Sequence, residues 1–338
     1  MRQIWIARKG PPEVLQVREA ADPQAGAGQV RIRVKASGIN FADLMGRMGL
    51  YPDAPPIPFV PGYEIAGVVD QAGPGVTSPK VGDRVVAITL FGGYSDIVVV
   101  PSGMAFGMPA NMSFESGAAL PVNYLTAHHM MFHIGPLHEG SRILIHSAAG
   151  GVGVAAIQLA RTRHCVIFGA ASVSKHPFLK ELGVQHSLDS GRDLAAQVRS
   201  VLGLKEGLDL VLDPVGGASW DQGYRLLGPT GRLVAFGFSA AANGKRRNLL
   251  RASLQFFKSP RFSPLRMMND NKTVSGVNMA HLFDRADLMK PQMAELFRLY
   301  TAGQLAPHVD RTFPFEEAAA AHHYLHDRKA KGKVVLVP

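Results

Sequence analysis

The chain has 338 residues, 46% of them hydrophobic and 18% charged, with a formal net charge of +10. Its length exceeds one ordinary core and suits two domains, and its composition is that of a soluble globular protein with no apolar run long enough to cross a bilayer. One cysteine, Cys165, rules out an internal disulfide and any multi-cysteine zinc site.

The first stretch, "MRQIWIARKGPPEVL", lacks the apolar block of a signal peptide. With the lone cysteine, this makes a reducing cytoplasm the expected home. Residues 1 to about 100 read as β-rich. "QVRIRVKASGIN" alternates from Val30 to Val34, and "EIAGVVDQAG", "DRVVAI" and "YSDIVVVP" are short apolar runs broken by Gly, Pro and Asp. "YPDAPPIPFVPG" between them is a loop pinned by its prolines. From Ser113 the pattern turns helical, in two pieces divided near Pro121, with Ser113 as the helix entry.

From Ser141 to about Thr301 strands and helices alternate, which predicts a doubly wound parallel sheet. Its expected strands are Arg142–His146, Cys165–Phe168, Leu208–Asp213 and Leu233–Phe236. A last helix, "PFEEAAAAHHYLHD", precedes a last strand, Lys333–Val337, and this tail is expected to return to the first domain.

Within the α/β region "RILIHSAAGGVGVAAIQLAR" reads as strand, turn, helix. Gly151 permits the tight bend, Gly153 lets backbone approach a pyrophosphate, and Ala156 lets helix and strand pack closely. The helix N-terminus offers free N–H groups to phosphates. In such a unit an acidic residue usually follows the second strand and holds a ribose. Here "FGAASVSKH" supplies Ala171, Ser172, Ser174 and Lys175 instead. The serines can donate hydrogen bonds and the lysine can pair with a 2′-phosphate, so NADPH is the expected cofactor.

The +10 charge fits a basic surface that attracts a phosphorylated cofactor. No zinc-finger spacing or aromatic RNA-binding signature accompanies it, and no nucleic-acid partner is expected. Basic density peaks at Lys245, Arg246 and Arg247, followed by Arg251, Lys258, Arg261 and Arg266.

The stretches "SGINFADLMGRMGLYP", "PGYEIAGVV", "LPVNYLTA", "AAGGVGVAAIQLAR", "GAASVSKH", "LDPVGG" and "GKVVLVP" span nearly the whole chain. Through them it resembles the medium-chain dehydrogenase/reductase superfamily. Within it the likeness is to the zinc-free, zeta-crystallin-like quinone oxidoreductases and most of all to the vesicle amine transport protein group. The resemblance implies an α/β fold in which a GroES-like β-rich catalytic domain (1–124 and 302–338) carries an inserted Rossmann-type domain for NADPH (125–301). It also implies a homodimer.

Zinc alcohol dehydrogenases of the superfamily have a cysteine where this chain has Asn40 and a histidine where it has Tyr63. An amide and a phenol do not reproduce that pair, so no metal is expected. His129 and His133 stand four apart but have no acidic or cysteine neighbour. Like His322, His323 and His326 they read as surface or packing residues.

The activity implied is zinc-independent hydride transfer from NADPH to a quinone or an α,β-unsaturated carbonyl. An enoyl-thioester reductase of polyketide or fatty-acyl substrates is one alternative, and a non-catalytic NADPH-binding protein at membranes or with partners is another. By resemblance Asn40, Asp43 and Tyr51 surround the nicotinamide. Tyr51 is either a donor to the developing enolate or a wall of the pocket. Asn40 orients substrate or ribose, and Asp43 either organises its loop or joins the chemistry. The proton comes from Tyr51 or from water.

Asn123 and Thr126 are expected at the nicotinamide half, and Gly151, Val152 and Gly153 at the pyrophosphate. Phe236, Gly237 and Phe238 are expected to cover the nicotinamide, with Val277 and Asn278 at its carboxamide. Two departures from the family stand out. Ser190 replaces a usual tyrosine, and a long basic segment, 240–272, separates the covering turn from "TVSGVN". That segment reads as a substrate lid, a contact for acidic membrane, a dock for an acyl-carrier protein, or a solvated insertion.

Overall fold

The computed structural model describes residues 1–203, 206–242, 244 and 249–338, so the basic cluster Lys245, Arg246 and Arg247 lies outside the described residues. The described residues divide into two compact units: residues 1–125, 244 and 279–338, and residues 126–203, 206–242 and 249–278. Residues 279–301 group with the first unit, where the helix Ala286–Thr301 brings Ala286 against Gly103.

The first unit begins with β1 (Arg2–Ile6) and β2 (Leu15–Glu19), an antiparallel pair. β3 (Gln29–Ile39) follows, with α1 (Phe41–Met48), β4 (Glu64–Ala72), β5 (Arg84–Ile88), β6 (Ile97–Pro101) and β7 (Ala105–Gly107). The alternation read in Val30–Val34 is a strand with Val30, Ile32 and Val34 buried, the period that lays every second side chain on one face. α2 (Phe114–Ala118) and α3 (Pro121–His128) are the two helical pieces, and the Ser113 hydroxyl accepts from Ser116 N at 3.1 Å as the cap.

The second unit holds β8 (Arg142–Ile145), α4 (Gly151–Arg161), β9 (Val166–Ala171), α5 (His176–Glu181) and β10 (His186–Asp189). It continues with α6 (Leu194–Leu202), β11 (Leu208–Asp213), α7 (Ala218–Leu226) and β12 (Leu227–Ala235). α8 (Leu249–Phe257), α9 (Pro264–Asp270) and β13 (Thr273–Gly276) complete it. Its sheet runs β10-β9-β8-β11-β12-β13, every neighbouring pair parallel, around a core that includes Leu144, Phe168, Val211 and Leu233. Strand order reverses between β8 and β11, so the carboxyl ends of these strands form the switch point where such sheets bind ligands.

The first unit resumes with α10 (Ala286–Thr301), β14 (Val309–Pro314), α11 (Ala318–His326) and β15 (Lys333–Val337). β15 pairs antiparallel with β3, and the sheet reads β14-β15-β3-β4-β5-β7 with β6 on β3. The tail therefore returns as expected and delivers Lys333 to the end of β3.

In the basic segment, α8 leaves Leu250, Leu254 and Phe257 exposed at 74%, 52% and 81%. Their i, i+4, i+7 spacing makes one apolar stripe on the outside of the helix. Among the described residues no helix is long and apolar enough to cross a membrane.

Candidate active site

In the first unit the site is built at the junction of β3 and α1. Asn40 precedes α1, and its N–H donates to Asp43 Oδ2 at 2.8 Å. Asp43 Oδ1 accepts from Gly62 N, also at 2.8 Å. One carboxylate thus ties together the backbones that carry positions 40 and 63. Asp43 is almost wholly buried, and burial pushes its pKa up to about 7 against the pull of those N–H groups and of Lys333.

A second carboxylate does similar work. Glu64, fully buried, pairs with the Lys333 ammonium, also buried. Glu64 Oε1 accepts from Asn40 Nδ2 at 3.0 Å and Oε2 from Val122 N at 2.7 Å, capping one orphan N–H in the first turn of α3. Lys333 Nζ donates to Asn40 Oδ1 at 2.7 Å. Asn40 is therefore held by its own amide, both ends engaged inside the protein. Asn123 lies one residue beyond Val122 and donates to Ala119 O at 3.2 Å.

Tyr51, half-buried, meets the Tyr63 ring edge-on with centroids 6.3 Å apart. Tyr63 also packs on Phe91 at 5.0 Å. Its hydroxyl is buried, and burial first, then the nearby Asp43, holds it far above the usual phenol range. The first unit thus brings Asn40, Asp43, Glu64, Lys333, Tyr63 and Tyr51 into one connected region. Glu64, Tyr63 and Lys333 carried no expected role in chemistry.

In the second unit the expected contacts collect at the carboxyl edge of the sheet. Ser147 takes a left-handed turn (φ 53°) and Gly150 N donates back to Ser147 O at 2.8 Å, which turns β8 into α4. A Cβ on Gly153 would lie 2.5 Å from Ala148 O and 2.6 Å from Ser147 O, so only glycine lets the helix start this close to the turn. Gly151, Val152 and Gly153 open α4, where backbone N–H groups have no intrahelical partner.

β9 ends at Ala171, buried, and the chain leaves through Ser172 and Ser174, exposed with their hydroxyls 3.2 Å apart, and half-buried Lys175. His176 Nε2 faces Leu188 O at 3.1 Å, fixing this corner to β10. Ser190 N donates to Ala171 O. At the far side Phe236 N donates to Asp213 O at 3.2 Å, and Val277 N to Ala235 O at 2.9 Å. These bonds set Phe236, Gly237, Phe238, Val277 and Asn278 at the ends of β12 and β13; Phe238 packs on Trp220 at 5.7 Å. Thr126, on α3, is buried and falls in this unit.

Of the histidines named earlier, His129, His133, His322 and His326 make packing or hydrogen-bonding contacts and His323 pairs with Glu13. His129 and His133 stack at 4.7 Å, and among the described residues no group of three or more His, Cys, Asp or Glu is placed to hold a metal. His322 is fully buried. Its Nδ1 meets Arg47 Nη1 at 3.0 Å and His326 Nε2 meets Arg47 Nη2 at 2.6 Å. A guanidinium only donates, so both nitrogens accept. Nothing in the local sequence marks Arg47 as buried.

A GroES-like sheet and a Rossmann-type parallel sheet in one chain define the medium-chain dehydrogenase/reductase class. The comparisons agree: residues 26–110 match the alcohol dehydrogenase GroES-like domain and residues 182–336 the zinc-binding dehydrogenase family. The synaptic vesicle membrane protein VAT-1 homolog of Rattus norvegicus is 42% identical over 96% of this chain and 80% of the rat protein. Escherichia coli quinone oxidoreductase, solved with NADPH, superposes with a TM-score of 0.87 at 28% identity, covering both chains fully. CurK enoyl reductase does so at 0.84 and 28%, over 99% of this chain and 98% of its own. The chain belongs to the zeta-crystallin-like branch of the medium-chain dehydrogenase/reductase superfamily, near the VAT-1 homologues.

The family description mentions zinc, and the residues at the two positions named earlier do not suit it. The Asn40 amide oxygen already accepts from an ammonium at 2.7 Å, and Tyr63 offers a phenol that burial keeps protonated.

Proposed function

We propose that this protein is a zinc-independent, NADPH-dependent reductase that transfers hydride to quinones or α,β-unsaturated carbonyls. The observation that carries the reading is the carboxyl edge of the parallel sheet. There a glycine turn with no room for a Cβ at Gly153 opens α4, and the β9 corner bears Ser172, Ser174 and Lys175 in the place of a ribose-binding acid. Gly151, Val152 and Gly153 hold the pyrophosphate at the open end of α4. Ser172, Ser174 and Lys175 take the 2′-phosphate, and Ala171 lines the adenosine side. Phe236, Gly237, Phe238, Val277 and Asn278, with Asn123 and Thr126, hold the nicotinamide. NADPH in E. coli quinone oxidoreductase supports this assignment.

When bound, NADPH supplies the hydride. The chain's own groups have to orient the acceptor and accommodate the negative charge that develops on its carbonyl oxygen. Tyr51 donates to that oxygen, Asn40 orients the reacting partners from a fixed amide, and Asp43 holds the backbone of both loops. The protein acts as a homodimer. β13, one of the two edge strands of its sheet, is the surface that pairs, since an uncovered edge seeks a partner. The apolar stripe of α8 within the basic segment is the surface for an acidic membrane or an acyl-carrier protein.

The test is NADPH oxidation over a panel of quinones, enones and enoyl thioesters, with and without a chelator. Turnover on quinones or enones, untouched by the chelator, is expected. Turnover confined to thioesters favours the enoyl-thioester reading, which the likeness to CurK enoyl reductase supports. Tight NADPH binding with no turnover on any of them overturns the enzyme reading.

A further inference from the structure

Tyr63 is 3% exposed, and its hydroxyl has neither solvent nor, among the described residues, a partner at full hydrogen-bonding geometry. Its ring is well used, edge-on to Tyr51 and tilted on Phe91, in a wall that continues to Phe59. Its backbone carbonyl is satisfied by Thr89 N at 2.8 Å. Only the O–H is stranded, and a phenylalanine would fill the same aromatic wall without stranding anything. A buried donor with no acceptor is destabilising, and its presence in a folded protein calls for a reason.

The surroundings narrow that reason. Burial and the neighbouring Asp43 keep the phenol neutral, so Tyr63 is a fixed donor rather than an acid. Tyr51 acts on its ionisation as a neighbouring side-chain hydrogen-bonding group, yet among the described residues no partner meets the Tyr63 hydroxyl at full hydrogen-bonding geometry. The neutral Tyr51 oxygen is a weak acceptor for Tyr63, and it becomes a strong, charge-assisted one if Tyr51 becomes a phenolate. We propose that Tyr63 is a positioning residue for proton donation: its O–H stabilises the Tyr51 oxygen as Tyr51 gives its proton to the reduced substrate. This rests on the reading of Tyr51 as donor.

The step balances. Hydride from NADPH forms a C–H bond at the β-carbon of an enone, the π electrons move to the carbonyl oxygen, and NADP⁺ is left. The Tyr51 O–H bond breaks, its proton passes to the enolate and its electron pair stays on the phenolate, which Tyr63 hydrogen-bonds. Solvent then returns a proton to Tyr51. The net change is enone, NADPH and H⁺ to saturated ketone and NADP⁺.

The experiment compares Tyr63→Phe, Tyr51→Phe and the double variant on the best enone. Tyr63→Phe should lower kcat about tenfold with NADPH affinity unchanged, and Tm should hold or rise because the stranded donor is gone. Tyr51 works only while protonated, so the alkaline limb of the kcat profile marks its pKa. Loss of a donor to the phenolate should move that limb to higher pH. Ultraviolet titration of Tyr63→Phe against the double variant, without cofactor, should show the same upward shift. In the Tyr51→Phe background, removing the second hydroxyl should change nothing further. An unaltered kcat and limb in Tyr63→Phe overturn the inference while leaving Tyr51 intact. Additive losses overturn it too, since Tyr63 then acts without Tyr51. Full turnover in Tyr51→Phe overturns the reading of Tyr51 itself.

Discussion

In the first unit the polar groups of the site are sealed in protein: Glu64, Lys333 and Asp43 are buried and Asn40 nearly so. In the second unit Ser172 and Ser174 stand in water, and the proposed cofactor cradle is largely backbone, opened by Gly151–Gly153. A buried ion pair fixes a geometry but depends on both partners. An exposed edge of N–H and O–H groups is completed by its ligand and depends on shape. The two regions should therefore fail differently, the first by losing fold along with chemistry, the second by losing ligand selectivity with the fold intact.

The sharpest way to break the contrast is Lys333→Met. It strands the Glu64 carboxylate, and a loss of about 3–5 kcal/mol in denaturant unfolding is expected. Adding Glu64→Gln should recover much of it. A stable single variant would mean that the pair is not sealed as described. Lys175→Ala should leave stability alone and weaken NADPH by about 1.5–3 kcal/mol, with NADH nearly unchanged; equal losses in titrations with the two cofactors would sink the 2′-phosphate assignment. Gly153→Ala joins the regions, because backbone crowding there adds about 1–3 kcal/mol of strain in the second unit while NADPH affinity falls. Thermal melting and cofactor fluorescence together would show both.

The last prediction concerns pH. The folded pKa of Asp43, about 7, lies above its unfolded value, so the native state holds this proton more tightly. The stabilisation is complete below about pH 4, and it is gone once pH passes about 7. Urea midpoints across that window should slope downward with pH, and Asp43→Asn should flatten the slope. A rising midpoint would contradict the burial argument.

Much of the fold was legible because its signals are local. Leu208–Asp213 and Lys333–Val337 are strands at the expected residues, and Ser113 caps its helix. β12 was harder. It begins at Leu227, six residues before the expected start, because Gly228, Pro229 and Gly231 read as breakers, whereas the strand passes them with a shift of register opposite Leu208–Leu210. β9 likewise runs on through Gly169 to Ala171. The glycine turn and the acid-free corner were legible because each is one contiguous stretch. The Glu64–Lys333 pair was not, since 269 residues separate its halves and only the pairing of β15 with β3 brings them together. Tyr63 was noticed for the metal it does not suit. Its stranded hydroxyl depends on what surrounds it, and no local pattern encodes an absence of partners.

Asp43 grips Gly62 N and Asn40 N, main-chain groups that every residue except proline possesses. A change of side chain at position 40 or 63 therefore leaves these two anchors in place. The frame can hold side chains of different chemistry at the two positions. Chemistry can change at those two mounts while the main-chain framework that aims them stays in place.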